Sequence, residues 1–456
     1  MFTLRPLCPV VLLIALSPLP AMAQAAVSQT QHADEAAPLL RLPEQVLPGL
    51  VPLVDAAVEA GPAVITARLE KLAAESREEE SRSLTRPRAD VFGEIAYREN
   101  NETRDGGVKP YYNAGVEQPI WHWNSLTNQK RIAEIKKKLA ANDYEEARRN
   151  LVLEIRRAYL DLILQKASLA ETFASHDRQR TALRVNRERA ARGEYASDLL
   201  ATEQLDAGKA ELARDRAQSA FQRALREFAI LNGLETFTAG QLPDGVGALP
   251  ASAKALFNPV APAPAATSTV PAALARPEGE LEAARLQQEV TRVRNYPKVN
   301  LAAGADQGAT SGTDQTAVIN YFAGVRVRWN IFDGFATRAA VREARAVVRQ
   351  NEQAVTAARR DLINQLNDQA EDLSLSLREL DIAEQCFSLT ESRRKVDEDL
   401  WKTGRLAETE WQTRNAAAQT ERISLNDLRG RTILQLSEHA LLRLRATKPS
   451  GEIQFP

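Results

Sequence analysis

Trp329-Asn330-Ile331-Phe332-Asp333-Gly334 ends one run of alternating residues in this 456-residue chain, and Gln118-Pro119-Ile120-Trp121-His122-Trp123 ends another. A helical stretch free of internal Gly and Pro follows each, over 125–192 and 335–403, and halts at a glycine, Gly193 or Gly404. The offset between the copies is constant: 330 − 119 = 211 and 404 − 193 = 211. A duplication that keeps register across an uninterrupted helix makes helix length part of the design. At 1.5 Å per residue each helix is about 100 Å long, against an ordinary globular helix of about 11–12 residues.

Composition agrees with long helices that meet along narrow seams: 5% of residues are aromatic and 26% charged. The net charge of −1 supplies no basic field for nucleic acid. The N-terminus reads as a secretory signal, with Arg5, a short apolar run over 10–16 and the cleavage pattern Ala21-Met22-Ala23. Pro18 and Pro20 interrupt the run and argue against a membrane anchor. Cleavage after Ala23 leaves one thiol, Cys386, which cannot pair within the chain and is expected to pack in its helix. No later stretch approaches 20 continuous apolar residues, so no transmembrane helix is expected, and a β-barrel remains compatible.

Residues 24–50 read as a flexible lead-in. Residues 51–82 are helical in tendency, with Gly61-Pro62 marking a start or break. Four segments then show a period of two. Val91, Gly93, Ile95 and Tyr97 oppose Asp90, Glu94 and Arg98, and Tyr112, Ala114 and Val116 oppose Asn113, Gly115 and Glu117. Val299, Leu301, Ala303 and Ala305 oppose Lys298, Asn300 and Asp306. Ile319, Tyr321, Ala323, Val325, Val327 and Trp329 oppose Asn320, Gly324, Arg326, Arg328 and Asn330. Each segment is about the 9–11 residues a tilted strand needs to cross a bilayer. Polar loops over 99–110 and 307–318 join them into two hairpins. A small soluble sheet is the plainer reading, but charge on one face and Tyr and Trp ending the other suit a wet lumen and an aromatic girdle. Four strands cannot close a barrel, whose smallest common form has eight, and an open edge in lipid costs several kcal/mol per unsatisfied group. The chain must therefore oligomerise, and three copies supply 3 × 4 = 12 strands.

Apolar residues Ile132, Ile135 and Leu139, then Leu151, Ile155, Ala158 and Leu162, step by threes and fours along a coiled-coil-like stripe. Gly193-Glu194-Tyr195-Ala196-Ser197 forms a turn with Ser197 as N-cap of a returning helix that stops at Asn232-Gly233. The second copy turns at Gly404-Arg405-Leu406-Ala407 and returns through Trp411, Ile423, Leu428, Leu436 and Leu444. The Pro- and Ala-rich linker over 236–271 reads as flexible or extended.

These residues resemble the TolC-type outer-membrane efflux family. The resemblance is carried by Ala275-Arg276-Pro277-Glu278 opening a helix, Tyr296-Pro297-Lys298-Val299 at a strand, the strand-exit motif Trp329, Asn330, Phe332, Asp333 and Gly334, and the paired glycine turns. It covers roughly 51–445 and departs in the first repeat, where Trp121-His122-Trp123 stands in place of Phe332-Asp333-Gly334 and Gly61-Pro62 in place of the Asn-Pro common there. The resemblance implies a mainly α fold with a transmembrane β contribution: a homotrimer with a 12-stranded barrel continuing into a periplasmic α-helical tunnel. It implies an exit duct in the outer membrane of a Gram-negative bacterium, partnered by outer-membrane lipid, a periplasmic adaptor (membrane fusion) protein and an inner-membrane pump or exporter. The adaptor would meet the hairpin tips, Gly193, Glu194, Tyr195, Ala196 and Ser197 with Gly404, Arg405, Leu406 and Ala407. In the family, coiling of the helices closes the periplasmic end, with acidic rings near the constriction, and Asp397, Asp399 and Glu408 are the candidates for them here. Pairing with nearby arginines is the competing reading for such acids.

The expected layout is therefore a signal peptide (1–23), a lead-in (24–50), a first repeat (51–235), a linker (236–271), a second repeat (272–445) and a tail (446–456). His32, His122, His176 and His439 lie far apart, and no nucleophile elbow or phosphate-binding glycine loop appears. No enzyme activity, metal or other cofactor is implied. A non-transporting coiled-coil envelope scaffold is the alternative to a channel.

Overall fold

The computed structural model describes residues 37–99, 106–257, 270–308 and 318–449. The signal segment, both loop tips, part of the linker and the end of the tail lie outside the described residues. Helices α1 (Ala37–Leu40), α2 (Leu42–Val46), α3 (Leu50–Ala60) and α4 (Pro62–Ser83) lead into strands β1 (Arg88–Glu99) and β2 (Gly106–Trp121). Helix α5 (Ser125–Ala191) and its return α6 (Ser197–Leu231) complete the first repeat. After the short α7 (Ala251–Leu256) come α8 (Ala275–Arg292), β3 (Lys298–Gly308), β4 (Val318–Arg328), α9 (Ala336–Lys402) and its return α10 (Glu408–Thr447). The two long helices have 67 residues each, or about 100 Å.

The hairpins pair with each other into one antiparallel sheet, β1-β2-β3-β4. The strands run further into the loops than alternation indicated, β1 reaching Glu99 and β2 starting at Gly106. The register places Val91 opposite Ala114, Ala114 opposite Ala305, and Ala305 opposite Tyr321, so the apolar positions of all four strands share one face. That face is bare: Val91 is 84% and Tyr321 81% exposed. Pro119 stands in a central strand, where its missing N–H would break the ladder. A bulge between Pro119 and Trp121 takes up the irregularity.

On the sheet side the helices lie in the order α4-α5-α8-α9, and toward the tips in the order α6-α5-α10-α9. One flank of the molecule is therefore β1, α4 and α6, and the other β4 and α9. The core sits midway, where Leu50, Ala57, Val64, Val152, Ile155, Leu380 and Ile433 are fully buried.

Several expectations are corrected. Residues 37–50 are not a flexible lead-in: they form helices, and Leu39, Leu40, Leu42 and Leu47 are buried. Arg156 is fully buried beneath them, donating through Nε and Nη2 to Glu44 at 2.7 and 2.8 Å and through Nη2 to the Leu40 carbonyl at 2.8 Å. The described part of the 236–271 linker also docks, because Phe237, Leu242, Val246, Leu249 and Ala253 insert into the core. Their spacing follows no helix or strand period, which hides them from pattern reading. Cys386 is exposed rather than packed. Leu50–Ser83 does contain a window long and apolar enough to cross a membrane. It breaks at Gly61, whose ψ of 131° caps α4, and its buried Val54, Ala57 and Val64 join the core. A Cβ at Gly61 would sit 2.5 Å from the Ala57 carbonyl oxygen and 2.6 Å from Leu151, so only glycine fits this corner.

Removing Glu44 would strand the buried Arg156 guanidinium. Glu44→Ala should destabilise the fold by about 3–5 kcal/mol, read as a lowered denaturant midpoint in detergent. His439 is buried against the Phe257 ring, and burial, with Arg443 adding, holds its imidazole down from the ordinary 6.5 to about 4. The unfolded chain therefore binds this proton more readily, so its contribution is full above pH 6.5 and is lost as pH falls through about 4. His439→Leu should flatten the fall in Tm across that window.

Candidate functional site: strand exits and hairpin tips

Each strand exit turns into its long helix through two consecutive left-handed residues, Trp123 (φ 53°) and Asn124 (φ 60°), then Gly334 (φ 64°) and Phe335 (φ 66°). These pairs are 211 apart (334 − 123), so the duplication extends to the backbone even where Trp replaces Gly. A bulky residue in this region costs about 1–2 kcal/mol. The Trp123 indole is held: its Nε1–H donates to the Pro297 carbonyl at 2.8 Å, and its ring meets Trp121 and Tyr296 edge-on. Beside it His122 Nε2 lies 2.6 Å from Asn300 Oδ1. In the second repeat Asp333 accepts from the Thr337 N–H at 2.8 Å and the Thr337 hydroxyl at 2.6 Å, capping α9. The Thr337 hydroxyl, the Asn295 amide and the Thr337 N–H together hold the Asp333 carboxyl down to about 2. Both exits thus converge on 295–300, where β3 begins. Trp329 and Phe332 are exposed.

The opposite ends of the helices carry the tips. At the first, the Gly193 N–H bonds the Ala190 carbonyl and the Glu194 N–H bonds that of Arg189; at the second, Gly404 bonds Trp401 and Arg405 bonds Leu400. This is the two-bond helix stop that needs a left-handed residue, supplied by Gly193 at φ 76° and Gly404 at φ 72°. A Cβ at either would meet nothing within 4 Å. The return helices are capped at Ala196 and Ala407 in extended conformation with no side-chain bond. Ser197 is therefore not the N-cap: it is already helical, one residue past the extended position.

What clasps each tip was not visible in the pattern. Glu203 accepts from Asn186 Nδ2 at 2.8 and 2.9 Å and from the Tyr195 hydroxyl, and that hydroxyl bond raises the Tyr195 phenol, with desolvation and the Glu203 charge adding. The equivalent positions, 186 + 211 = 397 and 203 + 211 = 414, hold Asp397 and Arg414, with Arg414 Nη1 donating to Asp397 at 2.8 Å. Here Trp401 and Trp411 also stack across the hairpin, centroids 4.4 Å apart and planes 13° from parallel. The same cross-hairpin register is kept with different chemistry, and the 211 offset was the signal that could have found both pairs.

Of the candidate aperture acids, Asp397 is neutralised by Arg414. Glu408 accepts from Gln412 at 3.1 Å, and Asp399 is exposed; neither has an ion pair among the described residues. The neighbouring Glu398 is held down by Lys402 and then Arg394. Arg405 and Ala407 are exposed, and Leu406 is half-buried. Among the described residues no group of three His, Cys, Asp or Glu could hold a metal ion.

The outer membrane efflux protein family matches residues 272–444. The chain is similar in structure to the CmeC outer membrane channel of Campylobacter jejuni, at 13% identity over 89% of this chain and 87% of that one, with TM-score 0.68. It is similar to the outer membrane protein VceC of Vibrio cholerae, at 14% over 87% and 95%, with TM-score 0.63. It is also similar to the open state of the MtrE outer membrane channel of Neisseria gonorrhoeae, at 12% over 90% of both chains, with TM-score 0.60. No curated protein sequence matches. The second repeat thus matches the outer membrane efflux protein family model, and the whole chain has the fold of these outer-membrane channels.

Gly193→Val and Gly404→Val force a β-branched residue into the left-handed region, at about 1–2 kcal/mol or more each, in open space. Both proteins should assemble normally while pump-coupled transport falls. Unchanged transport in the double variant would show that the tips are not docking sites.

Proposed function

We propose that this chain is the outer-membrane exit duct of a tripartite efflux pump or type I secretion system. It is a passive conduit from periplasm to exterior, seated in the outer membrane of a Gram-negative bacterium with a long periplasmic extension. The observation that carries this reading is the bare apolar face shared by four strands whose two edges, β1 and β4, are unpaired. Such a sheet is stable in lipid only when closed. A coiled-coil envelope scaffold has no use for it.

Closure sets the assembly. The flank of β1, α4 and α6 differs from the flank of β4 and α9, so copies meet head to tail, and such contacts generate rings. The helices carry matching seams. Exposed Leu375, Ile382, Leu389 and Val396 recur every seventh residue on α9, while Leu205 and Leu212 on α6, and Ile65, Leu69 and Leu72 on α4, are exposed on the other flank. A seven-residue repeat is the signature of a coiled-coil seam. Twelve strands favour a homotrimer, with lipid around the sheet. The periplasmic adaptor docks on the two tips of each protomer and links the duct to an inner-membrane pump or exporter. Asp399 and Glu408 line the gated aperture, with Asp397 held back by Arg414. No catalytic step belongs to this role.

Membrane fractionation and sizing in detergent test the whole reading: an outer-membrane trimer is expected, and recovery as a soluble monomer would refute it. Ile382→Lys with Leu389→Lys should break the trimer, since a charge placed in an apolar seam cannot be desolvated, whereas lysines at exposed polar positions of α9 should leave it intact.

A further inference from the structure

The polar face of the sheet gathers cations at its tunnel end. Pairing rows start at the tunnel end with Lys298 opposite Arg328 and Asn300 opposite Arg326. The next row runs Arg88, Glu117, Ala302 and Gly324. These rows hold four cations against one carboxylate, and that carboxylate is occupied: Glu117 accepts from Asn300 Nδ2 and faces Arg326 Nη1 at 3.4 Å. Arg88 and Arg328 are exposed, Lys298 is half-buried, and none of the three has an ion pair among the described residues. Beyond lies a row of small residues with one carboxylate and one ring, Asp90, Gly115, Gly304 and Phe322, then a row with Asp306. Further out the register sets Glu94 opposite Tyr111 on this face, then Lys109 opposite Ala96 and Arg98 opposite Gly107 near the loop tip.

We propose that the tunnel-side end of the sheet's polar face is a binding collar for anionic groups, such as the carboxylate, phosphate or sulfonate of a cargo molecule. The inference rests on the duct reading and adds the chemistry of what the duct holds. Same-face neighbours are about 7 Å apart along a strand and strands about 4.8 Å apart, so Lys298, Arg326 and Arg328 lie within about one Debye length of 8 Å and act together, with Arg88 about two Debye lengths from Lys298 and Arg326. Rings of Arg and Lys are how pores select anions. The alternation puts these cations on the face opposite Val299, Val325 and Val327, away from lipid headgroups. Gly115 and Gly324 leave room on the wall while the Phe322 ring lies over Gly304, and the carboxylates of Asp90 and Asp306 beyond keep the anion's hold loose by like-charge repulsion.

The test uses the full-length assembly in planar bilayers with inorganic tripolyphosphate added on the tunnel side. Tripolyphosphate should reduce the wild-type current, and the Arg88→Gln, Lys298→Gln, Arg328→Gln variant should need at least about tenfold more for the same block. Asp90→Asn with Asp306→Asn should keep the block. Equal block of wild type and the collar variant, or none in wild type, overturns the collar. Should no conducting unit appear, the duct reading fails, and the collar is judged separately by calorimetric titration of the detergent-solubilised protein. There an about tenfold loss of tripolyphosphate affinity in the collar variant supports it, and equal affinity overturns it. A variant that loses co-purified phospholipid while keeping tripolyphosphate affinity would assign these cations to the lipid surface and overturn it also.

Discussion

Backbone hydrogen bonding in lipid is the constraint on which the architecture depends. Each strand edge facing hydrocarbon leaves N–H and C=O groups without water, at several kcal/mol apiece. Four strands satisfy the three internal ladders and leave two edges open. The same problem is carried down the molecule in weaker form, because α9 and the α4–α6 flank display apolar seams that nothing in the protomer covers. Sheet and helices thus call for the same remedy, a neighbour added sideways, and the proposed ring answers both at once.

Duplication supplies the geometry, and divergence supplies the chemistry. The two halves keep a 211-residue register through strand exits, left-handed corners, long helices and tips. Yet Trp123 replaces Gly334 at a corner and is held by its indole hydrogen bond, and Asn186–Glu203 replaces Asp397–Arg414 across the hairpin. Backbone demands are met twice with different side chains because a helix stop or corner constrains φ and ψ, not the group beyond Cβ. The two tips therefore present unlike surfaces on like scaffolds, one with a phenol bound to a carboxylate and one with stacked indoles.

The waist joins the halves into one body. Glu44 reaches across 112 positions to Arg156, the helices α1 and α2 around it pack on α10 of the second repeat, and the inter-repeat segment lays Phe237 and Leu242 into a core shared with Leu380 and Ile433. A bidentate Arg–carboxylate pair in such a place specifies one arrangement more than it adds stability.

Alternation, helix length and paired glycines were legible from the chain because each is a local rule repeated over many residues: the period of two, the absence of Gly and Pro over 67 residues, and the left-handed stop. They determined the strands, the hairpins and the need for other copies. Whether Cys386 was covered, whether residues 37–50 and 237–257 docked, and which acids were neutralised depended on contacts between residues far apart in sequence, which no local period records. Asp397 meets Arg414 only after the helix turns back at Gly404. The gathering of basic side chains at one end of the polar face likewise needed the strand register, because four separate strands had to be aligned before their charges formed rows.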